Sequence, residues 1–158
     1  MTHAACAELL TILKQEQVAV HGFVELLQQE QGFLLENSTD PLLKLADQKI
    51  VRAHQLNELA EERRQLLGKF LPELTRNSIQ IWFEANSMEC LTIWQEICSL
   101  AAQSQQINHI NGELILMKLR HNQQTLAALT QAVSKANLYG PDGQTNFTPG
   151  SGRSLGSV

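Results

Sequence analysis

The sequence predicts an all-α protein: an elongated antiparallel helical bundle of coiled-coil type, with a long C-terminal helix and a disordered tail. Three observations carry this expectation. Apolar residues recur at steps of three and four along most of the chain, the spacing that lines one side of a helix. Hydrophobic residues make up 43% of the 158 residues but aromatics only 5%, so the available core is Leu, Ala and Ile rather than rings. Helix breakers collect at the end, where five of the nine glycines and two of the four prolines fall within residues 137–158. A chain of this length holds one domain with a real core.

The first helix is expected from about Thr2 to Leu35. Cys6, Leu10, Leu13, Gln17, Val20, Val24, Leu27, Gln31 and Leu34 alternate steps of four and three without a break, which is the 3.5-residue period of a coiled-coil seam. Gly22 and Gly32 weaken it locally, and its two glutamines give up stability while fixing register. Asn37-Ser38-Thr39-Asp40-Pro41 is the clearest internal break, with Asp40 as N-cap and Pro41 at the first helical position, where its missing N–H costs nothing.

Helix two then runs from Pro41 to about Phe70, its buried face marked by Leu42, Ala46, Ile50, Ala53, Leu56, Ala60 and Leu67. Glu61-Glu62-Arg63-Arg64 reads as a solvated surface on this helix. Pro72 either opens a new helix or kinks the old one. Ser78 to Phe83 alternates briefly, but in a helical chain it reads as a short helix capping the bundle. Trp82 and Trp94 fit core volume beside Phe83 better than partner anchoring, because rings dominate burial when they are few.

Asn86-Ser87 caps the last helix, which carries Leu91, Trp94, Ile97, Cys98 and Ala101, crosses the polar patch Gln103 to Gln106 and resumes at Ile107. From Met88 to about Ala132 it would span ~65 Å at about 1.5 Å per residue. Gly112 is its expected flex point, about 1 kcal/mol less favourable than alanine in a helix. The run Leu114-Ile115-Leu116-Met117 is apolar on several sides. Such a surface is buried either by the first helix or by a helix from another protein, and both readings stand. The chain thus divides into a helical domain, 1–136, containing a partner-binding helix, 107–136, and a flexible tail, 137–158, whose composition cannot offset its chain entropy.

Chemistry is poorly supported. His3, His21, His54, His109 and His121 are scattered without ligand spacing, and Cys6, Cys90 and Cys98 form neither an even disulfide framework nor a zinc set. No glycine-rich phosphate loop follows a strand. An enzyme, a metal site and a bound cofactor are therefore not expected. The net charge is −4 with no dense basic stripe, which speaks against nucleic acid or anionic lipid. No apolar stretch approaches ~20 residues and the N-terminus is not a secretory signal, so a cytoplasmic protein without membrane insertion is expected.

One stretch carries a family resemblance. Asn111-Gly112, Leu114 to Leu116, Asn122-Gln123-Gln124, Leu126, then Leu138-Tyr139-Gly140 with Asp142-Gly143-Gln144, resemble the C-terminal signature of the FlgN-type flagellar export chaperones. The charge pattern ending in Glu61-Glu62-Arg63-Arg64-Gln65-Leu66-Leu67 resembles the second helix of that family. The region from Trp82 to Trp94 carries no such match.

The resemblance implies a type III export chaperone that binds the helical C-terminus of the hook-associated, hook–filament junction proteins, prevents their premature assembly and delivers them to the flagellar export gate. It implies cargo contacts at Asn111, Leu114, Ile115, Leu119, Asn122, Leu126 and Leu129. It places Leu138, Tyr139 and Gly140 against the cytoplasmic domain of the gate. From the residues alone, Tyr139 is equally a ring packed beside its Gly-Pro-Asp-Gly turn. The free protein is expected to be a monomer or weak dimer. The rival reading is a self-associating helical-bundle scaffold with no flagellar cargo.

Overall fold

Four helices and no strand make up the described residues, 2–138 of the computed structural model: α1 (Thr2–Glu36), α2 (Thr39–Leu67), α3 (Arg76–Asn86) and α4 (Met88–Leu138). The chain divides into two compact units, the first ending at Leu114 and the second beginning at Ile115. The first holds α1, α2, α3 and the opening half of α4. The second, among described residues, is the remainder of α4.

Two residues join α1 to α2. Asn37 takes φ 59°, the left-handed conformation that asparagine tolerates better than most side chains. The Ser38 N–H then reaches back to the Phe33 carbonyl at 3.0 Å and the Asn37 N–H to that of Leu34 at 3.4 Å. This is the Schellman pattern, which satisfies two carbonyls left over at the helix end and reverses the chain. The break is where the sequence predicts it, but α2 starts at Thr39, so Asp40 sits inside its first turn rather than capping it.

The core of α1 is a row of Leu9, Leu13, Glu16, Val20, Leu27, Glu30 and Leu34, all nearly inaccessible to solvent. The expected seam is half right. Leu13, Val20, Val24, Leu27 and Leu34 are buried, whereas Cys6, Leu10, Gln17 and Gln31 are half-buried. The polar residues at the centre of the row are two glutamates instead. Glu16 accepts two bonds from the Arg63 guanidinium, at 2.9 and 3.1 Å. Glu30 pairs with Lys49 at 3.2 Å. Glu16 and Glu30 are fourteen residues apart, as are Lys49 and Arg63. One antiparallel register therefore satisfies both pairs, two heptads apart, and pins α1 against α2.

Those pairs correct the expected face of α2. Ile50 is 60% exposed and Ala46 is exposed, while Leu45, Arg63, Leu66 and Leu67 are buried. Leu67 is buried and Leu42, Ala53, Leu56 and Ala60 are half-buried, so the expected face holds in part, but the core-facing row also takes in Lys49 and Arg63, which an apolar stripe leaves out. Arg63 is not part of a solvated surface: its guanidinium lies 4.7 Å from the centre of the Trp94 ring, desolvated beside Glu16.

Between Leu67 and Arg76 the chain turns, and Pro72 lies in this loop, neither kinking α2 nor opening α3. Thr75 and Ser78 form a reciprocal capping box that starts α3. Ile79 and Phe83, one turn apart, bury that helix against the core. Trp94 is buried, as expected. Trp82 is half-buried and stacks on Phe70 with centroids 5.5 Å apart. Ser87 ends α3 and starts α4, its carbonyl and hydroxyl receiving the N–H groups of Leu91 and Cys90.

Cys6, Cys90 and Cys98 are free thiols, and burial pushes the latter two above their ordinary pKa. No described helix is long and apolar enough to cross a membrane.

Candidate functional site

Within the first unit α4 presents a regular row to the core: Cys90, Ile93, Ile97, Leu100, Ser104, Ile107 and Asn111, in alternating steps of three and four. The row ends in a polar junction. Asn111 is 1% exposed and donates to the Leu27 carbonyl and the Glu30 carboxylate, each at 2.9 Å. Lys49 extends the cluster by donating to Asn108 at 2.8 Å. Three helices, α1, α2 and α4, are tied at this point.

Continued in step, the row would reach Leu114, Lys118, His121 and Thr125, which is no apolar surface. The apolar residues lie one position further on: Ile115, Leu119, Asn122, Leu126, Leu129 and Val133. The second unit thus carries its own stripe, again in steps of four and three. Ile115 is 48% exposed, Leu119 52%, Leu126 64%, Leu129 58% and Val133 60%, with Leu116 and Met117 exposed beside them.

A helix with this stripe has the surface that a second helix packs against knobs-into-holes. One asparagine in an otherwise apolar seam disfavours slipped pairings, and Asn122 is so placed. Between Leu114 and Leu138 the sequence has three basic residues, Lys118, Arg120 and Lys135, and no acidic one. Burying the exposed half of each apolar residue would yield about 1 kcal/mol apiece.

The structure sorts the expected contact residues into two groups. Ile115, Leu119, Asn122, Leu126 and Leu129 share the exposed stripe. Asn111 does not: it is buried in the three-helix junction and offers nothing to a partner while the first unit is intact. Leu114 is half-buried. Leu138 is the last residue of α4. The expectations for Tyr139 and Gly140, and for the flexible tail, fall outside the described residues. Val133 was missed by sequence reasoning, although its place four beyond Leu129 continues the spacing. Gly112 does not break α4, which runs through it.

All five histidines are exposed. Among the described residues no group of three or more His, Cys, Asp or Glu is placed to hold a metal ion.

A family model described as FlgN protein matches residues 1–146. The "Flagella synthesis protein FlgN" of Escherichia coli (strain K12) is 32% identical over 107 residues, which cover 66% of this chain and 75% of that protein. No solved structure matches.

Proposed function

Because the chain belongs to the FlgN family, we propose that it is a cytoplasmic flagellar type III export chaperone whose α4 stripe binds the helical C-terminus of hook-associated junction proteins. The observation that supports this most is the exposed stripe itself. Five apolar side chains in coiled-coil spacing stand 48–64% exposed along the second unit. A partner helix would cover them, and a cargo end so covered is withheld from assembly. Binding is the whole of the chemistry required.

Delivery is a separate event, which the family resemblance assigns to Leu138, Tyr139 and Gly140, docking on the cytoplasmic domain of the export gate. A tyrosine offers ring burial and one hydrogen bond, and such a contact is worth about 2 kcal/mol or more at a hot spot. Tyr139→Ala is therefore expected to keep cargo affinity and to weaken gate binding by roughly 30-fold. Equal loss of both would place Tyr139 in the cargo contact.

The test of the reading as a whole is co-elution. The purified chain mixed with a junction protein should form a one-to-one complex. A stable oligomer of the chain alone, unchanged by cargo, would instead identify the stripe as a self-association surface.

A further inference from the structure

The first unit carries a second feature, unrelated to the α4 stripe. A cavity of about 320 Å³ opens between the end of α2, the start of α3 and the opening part of α4. Its wall includes Arg63, Arg64 and Arg76, with Ile79, Leu74 and Trp94 among the apolar parts. No carboxylate lines it, in a chain whose net charge is −4.

The three arginines differ in what they have to offer. Arg63 is committed to Glu16. Arg64 reaches Glu61 only at 3.8 Å, with both side chains 58% exposed, an arrangement that holds it weakly. Arg76 has no ion pair among the described residues. Arg76 is also the first residue of α3, and that helix has no acidic residue in its first turn. A cation at the positive end of a helix is unfavourable, and an anion placed there relieves it. Trp94, 6% exposed, also lines the cavity, and its buried Nε1–H has no protein acceptor.

We propose that this cavity is a docking site for an acidic side chain of a peptide segment, with Arg64 and Arg76 clasping the carboxylate and Leu74 and Ile79 receiving its apolar neighbour. The volume lies at the small end of ligand pockets, sized for one side chain with its flank. Its lining, part guanidinium and part aliphatic, matches a carboxylate carried on a hydrocarbon stem rather than a fully hydrated ion.

The test follows the two indole N–H resonances of the ¹⁵N-labelled full chain, assigned with Trp82→Phe. The probe is a capped peptide with two adjacent glutamates between leucines, compared with its glutamine counterpart. The glutamate peptide should move the Trp94 signal and the glutamine peptide should not. Arg64→Gln and Arg76→Gln, both at exposed positions and therefore compatible with folding, should each weaken binding about tenfold, the effect of losing one charge-assisted bond. Arg63 is left intact, because its removal strands Glu16. A silent Trp94 signal, equal binding of the two peptides, or unchanged affinity in Arg76→Gln would overturn the proposal. Displacement of the peptide by an equal concentration of inorganic phosphate at matched ionic strength would also overturn it, reassigning the cavity to free anions.

Discussion

The Glu16–Arg63 pair gives the account its sharpest test of packing. Both side chains are more than nine-tenths buried, two hydrogen bonds join them, and the guanidinium also lies over the Trp94 ring. Removing one partner leaves a charge in the interior with nothing to compensate it, which costs about 3–5 kcal/mol. That is a large share of the roughly 5–15 kcal/mol that holds a domain of this kind together. Replacing both partners by apolar residues of similar reach is different. The desolvation penalty disappears with the charges, a gain of about 1–4 kcal/mol in comparable pairs, offset here by the lost cation–ring contact of about 1–2 kcal/mol.

Urea unfolding followed by helical circular dichroism separates these cases. With a slope of about 2 kcal/mol per molar, Glu16→Leu or Arg63→Met alone should lower the midpoint by roughly 2 M. The double variant should lie between about 0.5 M below and about 1.5 M above the parent, since no uncompensated charge is left in the interior. Additive losses in the double variant, or single losses below about 1 kcal/mol, would refute the claim that this pair is buried and mutually dependent.

Three further outcomes follow from the same structure. Asn111→Ala should destabilise the first unit by about 1–3 kcal/mol, because Glu30 loses a buried donor, whereas an Asn111 that served only cargo would leave the urea midpoint unchanged. Gly32→Ala should stabilise by about 0.5–1 kcal/mol, since a Cβ there meets nothing within 4 Å and the helix loses a flexible residue; a loss in the same assay would contradict this. Alkali should weaken the fold through Cys90, whose thiol is raised above its ordinary 9.0 by burial. The unfolded chain then gives up that proton first, so the contribution is intact below pH 9.0 and lost as pH rises past it. Cys90→Ala should flatten the decline in melting temperature above pH 9.0, and an unchanged slope would dismiss the thiol as its cause.

What could be read in advance divides along a physical line. Local signals sufficed for the helix count, the turn after Glu36 and the Ser87 start of α4, because caps and turns are built from residues close in sequence. The period of α1 was also legible, although its centre lay one residue off, at Glu16 and Glu30. The face of α2 was legible only in part: Leu56 and Leu67 face the core, Ala46 and Ile50 do not. Lys49 and Arg63 enter the interior only because glutamates more than fifteen residues away receive them, and no window along α2 contains that information. Asn111 was misplaced for the same reason, since its partners Leu27 and Glu30 belong to α1. Ile115, Leu119, Leu126 and Leu129, named in advance through the family resemblance, are all exposed on α4.

The measurement closest to the central claim is calorimetric titration of the chain with the C-terminal helical segment of a junction protein, comparing the parent with Leu126→Glu/Leu129→Glu. Both positions are more than half exposed, so the variant should melt within about 2 °C of the parent, as surface substitutions do. Each glutamate forfeits about 1 kcal/mol of apolar burial and adds a charge to a seam that must be dried, so affinity should fall by more than about 100-fold. Undiminished binding by a well-folded variant would show that the stripe is not the cargo surface.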